Sequence, residues 1–116
     1  MRAEALLHAI QEILVDAKGK EIRILEVRQI TDITDYMVIV NGTSTRHVSA
    51  MTDKVIEGMR ERGQRPLGVE GQDLGEWVLV DFGDVIVHLM RPQTRAFYNL
   101  EKLWGHGKTS DGALKA

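Results

Sequence analysis

The chain contains no cysteine. That removes disulfide bridges, thiolate metal sites and thiol nucleophiles, and it suits a reducing compartment. Charge of one sign is also lacking: 15 Lys and Arg stand against 17 Asp and Glu, a net charge of -2. Without an overall positive field, nothing holds a phosphate backbone by counterion release, so nucleic acid is disfavoured as the main partner and no direct nucleic-acid specificity is expected. No apolar run approaches the ~20 residues of a membrane-spanning helix. The opening MRAEALLHAIQEI interrupts its apolar residues with acids, unlike a signal or transit segment. His8, His47, His88 and His106 show no metal-ligand spacing. These absences lead to the expectation of a cytoplasmic protein without membrane contact and without metal or other cofactor.

What is present fits one globular domain. At 116 residues and 43% hydrophobic content, the chain can bury a single core. The domain is expected over residues 1–104, with the Gly-rich and polar stretch 105–116 (GHGKTSDGALKA) a disordered tail. Leu6, Leu7, Ile10, Ile13, Leu14 and Ala17 follow helical spacing and predict a helix over about residues 2–18, stopped by Lys18-Gly19. EIRILEV, from Glu21, alternates as a strand, with Ile22 and Ile24 on one side and Arg23, Leu25 and Val27 on the other. YMVIV, from Tyr36, is a β-branched run suited to a central strand buried on both faces. Asn41-Gly42 then turns the chain, and Thr43-Ser44-Thr45 supplies capping material for a helix whose buried stripe is Val48, Met51, Val55, Ile56 and Met59. Gly63 closes that helix, and Gly58 within it implies a close approach or an exposed position. PLGVEGQDLG, from Pro66, holds a short edge strand, and a last helix begins at Gln93 or Thr94 with Phe97, Leu100, Leu103 and Trp104 as its stripe. The order describes an α/β (α+β) fold, a small mixed β-sheet flanked by helices.

The most informative stretch is WVLVDFGDVIVHLM, residues 77–90. Phe82-Gly83-Asp84-Val85 has the composition of a two-residue hairpin loop whose first position needs positive φ. With that turn, Leu79 lies opposite His88 and Trp77 opposite Met90, because side chains alternate faces along a strand. One face then carries Val78, Val80, Phe82, Val85, Val87 and Leu89, purely apolar and suited to packing under helices. The other carries Trp77, Leu79, Asp81, Ile86, His88 and Met90. Two explanations of this mixed face stand: a third helix covers it with Asp81 and His88 paired inside, or it is partly open and binds another macromolecule. Trp, Leu, Ile and Met among a few polar groups have the makeup of an interface centre.

Other chemistry is weaker. Gly42-Thr43-Ser44-Thr45 before a helix, with Arg46 nearby, resembles an anion-binding turn but lacks the lysine and spacing of a P-loop. Metal-dependent nucleotide transfer needs paired carboxylates, and Asp84, taken up by the hairpin turn, leaves Asp81 alone. Asp32 and Asp35 read as solvated turn acids. Nothing brings Ser44 or Ser49 to His88 and Asp81 for a hydrolytic relay.

The strings TDYMVIVNGTSTRHVSAMTDKV, PLGVEGQDLGEWVLVDFGDVIVHLM and RAFYNLEKLW, in this order and spacing, closely resemble the ribosomal silencing factor family RsfS, also called the Iojap or DUF143-type family. The likeness runs from about residue 3 to residue 104. It implies a nucleotidyltransferase-like α/β domain without the catalytic carboxylates, and a non-enzymatic translation repressor. It also implies binding to the large ribosomal subunit through ribosomal protein L-fourteen, steric exclusion of the small subunit, chiefly in starvation or stationary phase, and homodimerisation off the ribosome. The family's EGxxxGxW segment falls on Glu70, Gly71, Gly75 and Trp77, its VDxGDVxVH segment on Asp81, Gly83, Asp84 and His88, and its RxFYxLExLW segment on Arg95, Phe97, Tyr98, Leu100, Glu101, Leu103 and Trp104. The residue pattern and the resemblance converge on Trp77, Leu79 and His88 as contacts, with Asp81 expected to orient His88; Glu70, Gly71, Asp81 and Met90 complete the expected partner-binding positions. The rival expectation is a degenerate nucleotidyltransferase-like nucleotide binder or enzyme that uses the turn at Thr43 and Arg46.

Overall fold

The computed structural model describes residues 1–98 and the pair 108–109. Helix α1 (Ala3–Asp16) is followed by strands β1 (Lys20–Glu26) and β2 (Tyr36–Asn41), helix α2 (Thr45–Glu61), and strands β3 (Gly68–Glu70), β4 (Trp77–Asp81) and β5 (Val85–Met90). Helix α3 (Pro92–Tyr98) and a two-residue strand β6 (Lys108–Thr109) complete the described elements. The strands form one six-stranded mixed sheet in the order β3-β4-β5-β2-β1-β6. Among the described strands, only β2 and β5 run parallel, joined through the crossover that contains α2, and every other neighbouring pair is antiparallel.

The hairpin sets the register of the whole face. Gly83 has φ +89, and Phe82 N donates to Val85 O at 2.9 Å, which closes the two-residue loop. Leu79 consequently pairs with His88 and Trp77 with Met90. The turn also fastens the start of β2, because Asp84 O accepts the amides of Asp35 and Tyr36, both at 3.1 Å.

Alternation then sorts the apolar residues into two cores. Against α1 and α2 lie Ile22, Ile24, Val38, Val40, Val78, Val80, Val85, Val87 and Leu89, meeting Leu6, Ile10 and Leu14 of one helix and Val48, Met51, Val55 and Met59 of the other. The opposite face gathers Leu25, Val27, Met37, Ile39, Ile86 and Met90, with Trp77 and Leu79 packed beside them. The helices approach closely at Gly58, where an added Cβ would lie 2.7 Å from Ile13 Cδ1.

Helix ends differ in detail from the expectation. At the end of α1 it is Lys18, not Gly19, that takes the left-handed conformation, with φ 65. Ser44 caps α2 as expected, its Oγ accepting His47 N at 3.0 Å, and Gly63, with φ +77, follows its C-terminus. Helix α3 starts at Pro92, one residue before the expected position, where proline's fixed φ and missing N–H cost nothing. Leu100, Leu103 and Trp104 of its expected stripe lie outside the described residues. So does the expected tail, apart from Lys108 and Thr109, which pair with Glu26 and Leu25. Among the described residues, no helix is long and apolar enough to cross a membrane.

Candidate functional site

The mixed face is enclosed at one end and partly open at the other. At the β1–β2 end Leu25, Val27 and Ile39 have no exposed surface. Arg95 of α3 spans that end, donating from one guanidinium nitrogen to Asn41 Oδ1 at 3.0 Å and to the Glu21 carbonyl at 2.6 Å. At the β4 end Trp77 and Leu79 keep part of their side chains exposed. The expected Asp81–His88 pair under a covering helix is not formed; α3 contributes Arg95 at one end of the face, and the other end is partly open.

Trp77 and His88 form the centre of the open end. The indole Nε1–H donates to His88 Nδ1 at 3.0 Å, with ring centroids 5.9 Å apart. An indole nitrogen can only donate, so Nδ1 carries no proton and the neutral ring carries its proton on Nε2. His88 Nε2 is buried and has no hydrogen-bond partner among the described residues. Burial pushes the imidazole pKa down from its ordinary 6.5 to about 4, so the ring stays neutral near pH 7.

Two expectations about this site are corrected. Asp81 does not orient His88: its Oδ1 accepts the Gly83 amide at 2.7 Å and so serves its own hairpin turn, while the imidazole is held by Trp77. A short Asp side chain finds the amide two residues on more readily than a cross-strand ring. His88 and Met90, expected as contacts, expose only 4% and 0% of their surfaces and lie beneath the face instead of on it.

The remaining candidates sit at the rim. β3 is an edge strand, and Glu70 pairs with Leu79 and Gly68 with Asp81, so the exposed Glu70 stands on the same face as Leu79. Gly71 has φ +84, and a Cβ there would collide with the Trp77 carbonyl oxygen. Only glycine lets the loop fold back onto the start of β4, so Gly71 contributes by placing Trp77. Arg91 reinforces the same junction, its amide donating to Glu76 O at 3.1 Å and its guanidinium lying 3.7 Å from the Glu76 carboxylate. Leu74 in this loop is 79% exposed; sequence reasoning passed over it, although a lone leucine among Gly, Gln, Asp and Glu was the available signal.

The turn before α2 is already occupied by its own contacts. Thr43 N donates to His47 Nδ1 at 2.9 Å, His47 N donates to Ser44 Oγ, and Val48 N donates to Ser44 O. His47 Nε2 reaches the Ala17 carbonyl at 2.9 Å and so ties the end of α1 to the start of α2. An anion at this turn would have to displace these partners, which weakens the nucleotide-binding alternative. Among the described residues, no three His, Asp or Glu gather as a metal site. Asp32 is exposed, and Asp35 is tied by its amide to the hairpin turn.

Known proteins give a consistent picture. A family model described as "Ribosomal silencing factor during starvation" matches residues 1–115. The chain is 41% identical over 108 residues to the ribosomal silencing factor RsfS of Zymomonas mobilis, covering 93% of this chain and 81% of that protein. It is 43% identical over 100 residues to RsfS of Haemophilus influenzae, covering 86% and 98% respectively. A crystal structure of a Chromobacterium violaceum protein is similar in fold, with TM-score 0.88, 40% identity, and coverage of 90% of this chain and 88% of that one.

Proposed function

Because the chain belongs to the ribosomal silencing factor family, whose members are ribosome-associated translation regulators, we propose that it binds the large ribosomal subunit through ribosomal protein L-fourteen. Bound there, it excludes the small subunit by occupying space on the joining surface, chiefly in starvation or stationary phase. The protein acts in the cytoplasm, and off the ribosome it associates as a homodimer.

The observation that carries this reading is the partly exposed Trp77 and Leu79 at the open end of the mixed face, next to the edge strand. A large aromatic beside an aliphatic residue is the kind of anchor that supplies most of an interface's energy. Glu70 and Asp81 border these anchors, while Gly71, His88 and Met90 shape the surface from beneath or beside it. Repression of this kind is stoichiometric: no bond is made or broken, and inhibition follows occupancy, so excess small subunit relieves it by mass action.

Sucrose-gradient profiles of purified subunits test the reading. Added protein is expected to lower the yield of joined ribosomes and to sediment with large subunits. Trp77→Ala, still folded, is expected to lose about 2 kcal/mol of binding, roughly thirtyfold in affinity. Undiminished subunit joining at saturating protein overturns the proposed repression, and undiminished binding by Trp77→Ala removes this face from the interface.

A further inference from the structure

His88 is an unexpected residue for its position. Its neighbours on the same face of β5 are Ile86 and Met90, and like them it is almost wholly buried. An apolar side chain would fill the site without the buried Nε2 donor that the imidazole brings, which has no partner among the described residues. Stability alone therefore does not account for a histidine here, and such departures from the apolar pattern concentrate where function needs them. What the imidazole does provide is an acceptor. Nδ1 receives the Trp77 indole N–H at 3.0 Å, from a ring that is itself partly open to solvent. An anchor held in one orientation before binding loses less conformational freedom on docking than one that must be ordered by its partner.

We propose that His88 is a positioning residue for the docking surface: it acts through Trp77, holding the indole in its binding orientation, and does not itself touch the partner. This rests on the reading of the Trp77 surface as the docking site for the large subunit.

The test compares variants at His88 and Trp77 for affinity toward purified large subunits and thermal midpoint and, where Trp77 is kept, for the indole N–H resonance. His88→Leu is expected to unfold at or above the native temperature, to move the indole resonance, and to weaken binding about tenfold. His88→Asn, whose Oδ1 can stand where Nδ1 stands, is expected to restore affinity to within about threefold of native. In the Trp77→Phe background, which has no N–H to hold, His88→Leu is expected to cause no further loss. Native affinity in a folded His88→Leu protein overturns the proposal, as does an equal loss in both backgrounds, which would make His88 a direct contact. His88→Met provides a second apolar replacement, and if both unfold, the imidazole is structural and the proposal falls. Undiminished binding by Trp77→Ala sinks the docking reading and this inference together, whereas a weakened Trp77→Ala beside an unchanged His88→Leu sinks only the inference.

Discussion

Arg95, in the first turns of α3, donates to the carbonyl of Glu21 at 2.6 Å, and Glu21 sits where the β1–β2 register shifts, with φ 50. The same guanidinium nitrogen serves Asn41 at the end of β2, so one side chain joins the bulge, the central strand and the helix. Arg95 is 9% exposed and Asn41 8%, so neither group can turn to water when its partner is removed. Arg95→Leu is expected to lower unfolding free energy by about 2 kcal/mol, because it strips the buried Asn41 Oδ1 and the part-buried Glu21 carbonyl of a charged donor. Arg95→Lys should recover only part of this, since a single ammonium on a flexible stem does not reproduce the guanidinium's directed donors. Urea unfolding measures both, and a loss below about 0.5 kcal/mol for Arg95→Leu would show the clamp to be idle.

The pH dependence of stability should carry the imprint of His88. Its folded pKa lies near 4 against an ordinary 6.5, so between these values the unfolded chain holds a proton that the folded one does not. Stability from this group is therefore complete above about pH 6.5, falls as pH falls toward about 4, and is constant below, a total of about 3 kcal/mol. Unfolding followed across this range should show that slope, and His88→Asn should flatten it. An identical slope in His88→Asn would assign the effect to carboxylates instead.

Much of the architecture was legible because one turn governs it. Gly83-Asp84 sets the hairpin register, alternation divides residues 77–90 into two faces, and Ile22, Ile24, Leu25 and Val27 fall on the sides that their spacing assigns. The site's internal wiring was less legible, because it depends on competition among partners. Asp81 had two candidates, a cross-strand imidazole and the Gly83 amide two residues on, and its Oδ1 takes the local amide. Trp77 was read as an anchor, but nothing in its spacing showed that its N–H would meet Nδ1. Glu21 offers no sign of positive φ, since glutamate has no preference for that region, and the bulge arises from how β1 and β2 pair. His47 was weighed only for metal-ligand spacing, although it stands three residues after the capping Ser44, where a side chain can reach back to the turn.

Gly71 offers a test of how Trp77 is placed. Its φ of +84 disfavours any side chain, and the Trp77 carbonyl occupies the space a Cβ would need. Gly71→Ala is expected to cost about 2 kcal/mol or more of stability, since both strain and collision oppose it. Displacement of the β4 start should also weaken large-subunit binding beyond what the stability loss explains. Folded Gly71→Ala at low temperature, assayed by co-sedimentation, separates the two effects, and native affinity there would confine Gly71 to a folding role.

The charge around the open end also bears on what can dock there. Residues 66–90 contain Glu70, Asp73, Glu76, Asp81 and Asp84 and no Lys or Arg, although the whole chain carries a net charge of only -2. Glu70, Asp73, Glu76 and Asp84 are exposed. Arg91, just past β5, lies 3.7 Å from the Glu76 carboxylate and offsets part of this charge; if the open end is the docking site, the remaining acids would disfavour RNA phosphates and favour a basic protein surface. Binding to isolated ribosomal protein L-fourteen should weaken as salt rises, mainly through slower association, because the interacting charges lie near the surface and are screened within about 10 Å at 0.1 M salt. The pair Glu70→Lys and Asp73→Lys replaces exposed side chains and should leave the fold intact while lowering the association rate several-fold and flattening its salt dependence. Unaltered association by this charge-reversed protein would mean that the acidic rim plays no part in docking and that the apolar anchors alone choose the partner.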